Sequence, residues 1–284
     1  PLISLTSGGA AVTTVNSCIG SQTPLFSNTT GGTWSSSNNS IATVSNTGIV
    51  NAIVEGTCNI TYVSPSSCSR TVVFNVNPKP TITGIDSVCV GSTTQLLGSG
   101  TAATSNAWVS LSLATATVTS TGIVTGVSGG TCNVVYFNNQ GCSDTILIKV
   151  NALPTAYTVT GGGSACSDGT GLSVGLSNSQ NGIEYQLFRN TTIIVGTPVD
   201  GTGAAIDFGA QTIAGTYTVV ATNTISGCTS DMTGGATITI TTLPTASIAY
   251  SASEFCKTLT TGELPTINGN TTGTFSAAPA GLSL

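Results

Sequence analysis

Ala42-Thr43-Val44, Thr47-Gly48-Ile49-Val50 and Gly56-Thr57-Cys58-Asn59 return 74 residues later as Ala116-Thr117-Val118, Thr121-Gly122-Ile123-Val124 and Gly130-Thr131-Cys132-Asn133. Trp34 falls on Trp108, Tyr62 on Tyr136, and Cys68-Ser69 on Cys142-Ser143, without a gap. Between 42–77 and 116–151, 17 of 36 positions are identical. A period this long is one small domain per repeat, so the chain reads as an array. Short alternating runs of Val, Ile, Thr and Tyr have strand composition, and turn residues separate them. The expected fold is all-β: a tandem array of antiparallel β-sandwich modules.

Three hairpins stand out. Residues 58–63 and 71–76 flank Ser64-Pro65-Ser66-Ser67, and residues 134–137 and 146–150 flank Asn138-Asn139-Gln140-Gly141. A third strand, 216–222, precedes Ile225-Ser226-Gly227. Gly48 and Gly122 each fall in a turn between two other strands, and Trp34 and Trp108 are expected to fill the core between sheets. Asn77-Pro78-Lys79-Pro80, Ala152-Leu153-Pro154 and Thr242-Leu243-Pro244 read as short, stiff linkers. The expected modules are 1–79, 80–154 and 155–244, with 245–284 the first part of a fourth. They would join end to end into a semi-rigid rod. The chain starts at Pro1 with no signal peptide and stops in mid-module, so both ends read as cut edges of a longer protein.

Nine cysteines stand at 18, 58, 68, 89, 132, 142, 166, 228 and 256. The third module has two, Cys166 and Cys228, which suggests that they pair. By analogy Cys18 would pair with Cys68 and Cys89 with Cys142. The rival arrangement is Cys18–Cys58 with Cys68 free. Cys58 shares a strand face with Ile60 and Tyr62, as Cys132 does with Val134 and Tyr136. Tyr217 takes the equivalent place in the third module, so Cys58 and Cys132 read as buried free thiols acting as small hydrophobes. Cys256 would have its partner beyond the chain.

Composition excludes several functions. Charged residues are 5% of the chain, the net charge is −5 and histidine is absent. Such a surface neither releases phosphate counterions nor docks on anionic lipid, so neither nucleic-acid binding nor membrane insertion is expected. Without histidine there is no Ser–His or Cys–His catalysis. With no histidine and no CxxC spacing a zinc site is not expected either. The acids are dispersed; Asp168, Asp200, Asp207 and Asp231 read as turn chemistry rather than a calcium cage. No catalytic residue, metal or cofactor is expected.

The run Trp34-Ser35-Ser36-Ser37, Ile41-Ala42-Thr43-Val44, Gly48-Ile49-Val50, Gly56-Thr57 and Ile60-Thr61-Tyr62 resembles the bacterial Ig-like group 2 (BIG2) module. Leu111 and Leu113 depart from it, standing where polar turn residues are usual. Tyr185-Gln186-Leu187 and Ala214-Gly215-Thr216-Tyr217-Thr218-Val219-Val220, followed by Gly227-Cys228, resemble repeats of giant Bacteroidota surface proteins, the SprB-type gliding-motility adhesins among them. Residues 255–283 resemble another repeat of the same proteins. The resemblance implies Ig-like modules, type IX secretion and display outside the outer membrane of a Gram-negative cell. It also implies O-glycosylation within Asp86-Ser87-Val88 and Asp144-Thr145-Ile146, at Ser87 and Thr145; the other reading of both is a turn leading into a strand.

The function expected is a non-enzymatic segment of a long cell-surface filament, a disulfide-pinned spacer serving attachment or gliding motility. Its partners would be neighbouring modules of the same long chain, and surface polysaccharide or the substratum. One alternative is a carbohydrate-binding array using Tyr157, Tyr185, Phe188 and Tyr250. The other is a static extracellular coat or fibre.

Overall fold

The computed structural model describes residues 1–243, 245–249 and 266–269. Every regular element among them is a β-strand. Three hydrophobic cores form, drawn from residues between Ile3 and Val76, between Val88 and Val150, and between Val159 and Ile238. The chain divides into two compact units, Pro1–Leu153 and Pro154–Leu284. The first unit holds two sandwiches and the second holds a third. Most of 245–284 lies outside the described residues, Cys256 and Tyr250 included; within it Ala246–Ala249 pairs antiparallel with Thr266–Gly269.

The first sandwich sets a four-stranded sheet, ordered Thr14–Cys18, Ser69–Asn77, Gly56–Val63 and Thr33–Ser36, against a sheet of Gln22–Pro24, Ile49–Ala52 and Ala42–Val44. The second repeats it with Ser87–Cys89, Ser143–Asn151, Gly130–Phe137 and Trp108–Ser110 against Ile82–Gly84, Thr93–Gly98, Ile123–Gly126 and Ala116–Val118. Alternation decides which face is buried. Cys58, Ile60 and Tyr62 point inward and Thr57, Asn59 and Thr61 do not; Cys132, Val134 and Tyr136 do the same in the second sandwich. Cys58 and Cys132 are buried and free.

Each tryptophan stands opposite its tyrosine on the neighbouring strand, Trp34 on Tyr62 and Trp108 on Tyr136. The ring centroids are 4.9 and 4.6 Å apart, tilted, a favourable aromatic geometry. Trp108 is buried, whereas Trp34 is half-buried. The Tyr62 hydroxyl donates to the Thr29 carbonyl at 2.7 Å and accepts from the Gly32 N–H at 2.9 Å. A buried phenol so satisfied ties the loop before Thr33–Ser36 to the core.

The third sandwich is larger. Gly163–Cys166, Ala236–Thr241, Gly215–Asn223, Ile183–Arg189 and Ile193–Asp200 lie side by side, with Thr229–Asp231 also on Gly215–Asn223. Opposite them are Val159–Gly161, Leu172–Leu176 and Ile206–Gln211. Tyr217 stands where the other sandwiches have cysteine, and its hydroxyl donates to the Ile213 carbonyl at 2.8 Å. That is the tyrosine corner of immunoglobulin-type sandwiches.

Candidate functional site at the junction of the first two sandwiches

In each sandwich the first part of the chain switches sheets and ends in a strand parallel to the last strand. Thr14–Cys18 runs parallel to Ser69–Asn77 with Cys18 opposite Asn77, and Ser87–Cys89 runs parallel to Ser143–Asn151 with Cys89 opposite Asn151. The first-strand cysteine therefore sits where the chain leaves the sandwich. The hairpin cysteine sits at the other end, because Cys68 and Cys142 immediately precede those last strands. Each last strand has nine residues, so the two cysteines of one sandwich are separated by about 30 Å of extended chain. A disulfide spans Cα atoms no more than about 7 Å apart.

This geometry corrects the cysteine assignments. Cys18 does not bond Cys68, nor its rival partner Cys58, and Cys142 does not bond Cys89. Cys18 of the first sandwich bonds Cys142 of the second, with a Cα–Cα distance of 5.6 Å and a sequence separation of 124. Cys68 carries a free, exposed thiol. In the third sandwich Cys166 stands opposite Thr241, at the chain-exit end, and is likewise free and exposed. Cys228 lies at the other end beside Asn223, whose N–H donates to its carbonyl at 2.9 Å. The expected Cys166–Cys228 pair is therefore absent for the same reason. Cys89 and Cys228 are each disulfide-bonded.

Around the Cys18–Cys142 bond the hairpin tip of the second sandwich folds back on the end of the first. The Asn138 amide nitrogen donates to the Pro78 carbonyl at 3.2 Å, and the Gln140 amide nitrogen to Asn77 Oδ1 at 3.5 Å. Asn138 Oδ1 in turn accepts the Gln140 and Cys142 N–H groups at 3.1 and 2.9 Å, which fixes the tip. Lys79 of the linker pairs with Asp144 of the hairpin at 2.8 Å. The junction thus has two covalent connections, the Pro78-Lys79-Pro80 linker and the disulfide, with polar contacts between them.

The hydrogen bond from Lys79 holds the Asp144 carboxyl below its ordinary pKa, against the opposing effect of burial. A carboxylate with a depressed folded pKa adds stability above its unfolded pKa and loses it as pH falls through the folded value. The pair is solvent-screened, so its contribution is at most about 0.5 kcal/mol. Lys79→Met should therefore lower stability by no more than that at pH 7 and weaken the pH dependence below about pH 4. Urea midpoints at pH 7 and pH 3 check this; equal losses at both would remove the pair as the cause.

The remaining candidate residues do not converge on one site. Ser87 is half-buried in its strand and accepts from the Asn151 amide at 2.7 Å, while Thr145 is exposed in the Ser143–Asn151 strand. Of the aromatic candidates for sugar stacking, Tyr185 is fully buried, its phenol pushed above the ordinary pKa by desolvation. Tyr157 and Phe188 are half-buried. These three supply no exposed platform. The aromatic surface that sequence reasoning missed is a cleft of about 270 Å³ in the first sandwich, where Phe26 and Trp34 border Asn46 and Thr47. Among the described residues no group of three or more His, Cys, Asp or Glu side chains gathers to hold a metal ion. No helix there is long and apolar enough to cross a membrane.

No curated protein sequence matches the chain. Solved structures similar to it include the N-terminal eight Ig domains of Down Syndrome Cell Adhesion Molecule isoform 1.30.30, at 14% identity and TM-score 0.32, covering 84% of this chain and 37% of that one. Murine CEACAM1b is 14% identical with TM-score 0.30, covering 57% of this chain and 100% of that one. The Bacteroides ovatus mixed-linkage glucan utilization locus protein SGBP-B, solved with a mixed-linkage heptasaccharide, is 17% identical with TM-score 0.20, covering 85% and 70%. The chain is built of Ig-like sandwiches, and over residues 21–74 it matches the family model of the bacterial Ig-like domain, group 2.

Proposed function

We propose that this chain is a non-enzymatic spacer segment of a long cell-surface filament, whose modules are coupled covalently so that tension does not pull them open. The observation that carries this reading is the Cys18–Cys142 bond between neighbouring sandwiches. Tension entering before Cys18 crosses the disulfide and leaves after Cys142, so most of both sandwiches lies outside the stressed path. Disulfides persist in oxidising compartments, which fits an extracellular or surface protein. The module boundaries 1–79, 80–154, 155–244 and 245–284 belong to this reading, as do display outside the outer membrane and a role in attachment or gliding. Polysaccharide or substratum contact belongs to it too, the Phe26–Trp34 cleft being the aromatic surface suited to it.

Single-molecule pulling between the two ends tests it. Without reductant the 124-residue separation bridged by the disulfide should stay hidden, and reduction, which also opens the bonds of Cys89 and Cys228, should release at least about 400 Å of additional contour. Full extension without reductant would overturn the proposal. Fluorescent antibody fragments on living source cells would separate the two surface roles: label that travels marks a motility filament, fixed label an attachment stalk.

A further inference from the structure

Among the described residues, the six cysteines outside the cores fall into two sets of three, each set built alike. Cys18, Cys89 and Cys166 stand opposite the last residue of the parallel strand beside them, Asn77, Asn151 and Thr241. The residue after each donates its N–H to that carbonyl: Ile19 to Asn77 at 3.0 Å, Val90 to Asn151 at 3.0 Å and Ser167 to Thr241 at 2.9 Å. Cys68, Cys142 and Cys228 each follow a residue with left-handed φ, Ser67 at 62°, Gly141 at 79° and Gly227 at 71°. Their carbonyls accept the N–H of Ser64, Asn138 and Asn223, each at 2.9 Å.

Four of the six are disulfide-bonded, namely Cys18, Cys142, Cys89 and Cys228. One cysteine of each set is left, Cys166 and Cys68, and both are free and exposed. The other two free cysteines among the described residues, Cys58 and Cys132, are buried in cores and out of reach of an exchange reagent. The bond between Cys18 and Cys142 shows what the geometry accepts: a first-strand cysteine from one sandwich and a hairpin cysteine from another.

We propose that Cys68 and Cys166 are the open coupling sites of this array. Cys68 takes the first-strand cysteine of a further module of the same build, and Cys166 takes a hairpin cysteine, both in the arrangement of Cys18 with Cys142. A second copy of this chain supplies each complement. The oxidant is an external disulfide such as oxidised glutathione. One thiolate attacks it and releases a glutathione thiolate, forming a mixed disulfide. The second cysteine's thiolate then attacks the protein sulfur of that mixed disulfide and releases the second glutathione. Two protein thiols are oxidised, one external disulfide is reduced to two thiols, and the two protons lost by the cysteines pass to the released glutathione thiolates. The proposal rests on the junction reading above and extends it from within one chain to between chains.

The test mixes two full-length variants, Cys68→Ser and Cys166→Ser, in a glutathione redox buffer, with linked peptides mapped by mass spectrometry. The expected product joins Cys166 of the first variant to Cys68 of the second. It should exceed like-with-like products at least about tenfold, the ratio given by 1.4 kcal/mol of docking preference. Either variant alone should stay unlinked, and the unsubstituted chain should form a longer ladder. Like-with-like coupling of equal yield overturns the proposal, as does a mixture in which both thiols end free or capped by glutathione. The Cys18–Cys142 peptide is an internal control: if it is present without the new bond only this proposal fails, and if it is absent the junction reading fails as well.

Discussion

Replacing Cys18 by serine should cost the first unit about 4–5 kcal/mol. The bond closes a loop with a sequence separation of 124, and the chain-entropy relation gives about 5 kcal/mol for a loop of that size. Cys142→Ser should cost the same amount, because either change removes the one bond. The double variant should add almost nothing, an interaction energy nearly equal to either single loss. Cys68→Ser is the control: its thiol is free and exposed, and it should shift stability by less than about 0.5 kcal/mol. Urea unfolding of the four variants against the parent decides the matter. Losses from Cys18 and Cys142 that simply add would remove the bond between them, and a large loss from Cys68 would restore a pairing inside the first sandwich.

The repeat was legible because sequence identity at a fixed offset needs no knowledge of packing. The hairpins were legible because Ser64–Ser67 and Asn138–Gly141 interrupt alternating runs. The burial of Cys58 and Cys132 follows from the same period of two that places Ile60 and Tyr62 beneath the sheet. That period also signalled the fate of Tyr185, which shares its face with Ile183 and Leu187 and is buried with them. It was therefore never available as a stacking platform.

The disulfide connectivity was not legible, because cysteine spacing along a chain carries no information about which end of a sandwich each residue reaches. That information lies in the parallel pairing of the first strand with the last, which places Cys18 beside Asn77 at the chain exit. Knowing that topology, spacing suffices for the first two sandwiches: the cysteine closing the first strand of one, Cys18, meets the cysteine opening the last strand of the other, Cys142. The Phe26–Trp34 cleft was hidden for a similar reason. The two repeats have the same tryptophan, yet Trp108 is buried and Trp34 only half so, and nothing in the repeated residues marks the difference.

The second large effect concerns the glycine of the repeated Thr-Gly-Ile-Val. Gly122 has φ +85°, and a Cβ there would lie 2.5 Å from the Leu96 carbonyl oxygen and 3.0 Å from Cε2 of Trp108. That carbonyl is backbone, and the Leu96 N–H is itself bonded to the Gly122 carbonyl at 2.9 Å, so the two strands cannot separate without losing the turn. Gly48 repeats the geometry, with φ +84°, 2.4 Å to the Leu25 carbonyl oxygen and 3.0 Å to Trp34. Left-handed backbone costs an L-residue about 1–2 kcal/mol, and forcing a methyl into a packed site adds about 1–3 kcal/mol. Gly122→Ala should therefore destabilise the second sandwich by about 2–5 kcal/mol, and Gly48→Ala the first by a similar amount. Gly91→Ala separates the two causes: its φ is +79°, yet nothing lies within 4 Å of the new Cβ, so only the backbone cost of about 1–2 kcal/mol remains. Denaturant midpoints for the three variants give the comparison. If Gly122→Ala costs no more than Gly91→Ala, the close approach of Leu96 and Trp108 is not what holds glycine at this place in the repeat.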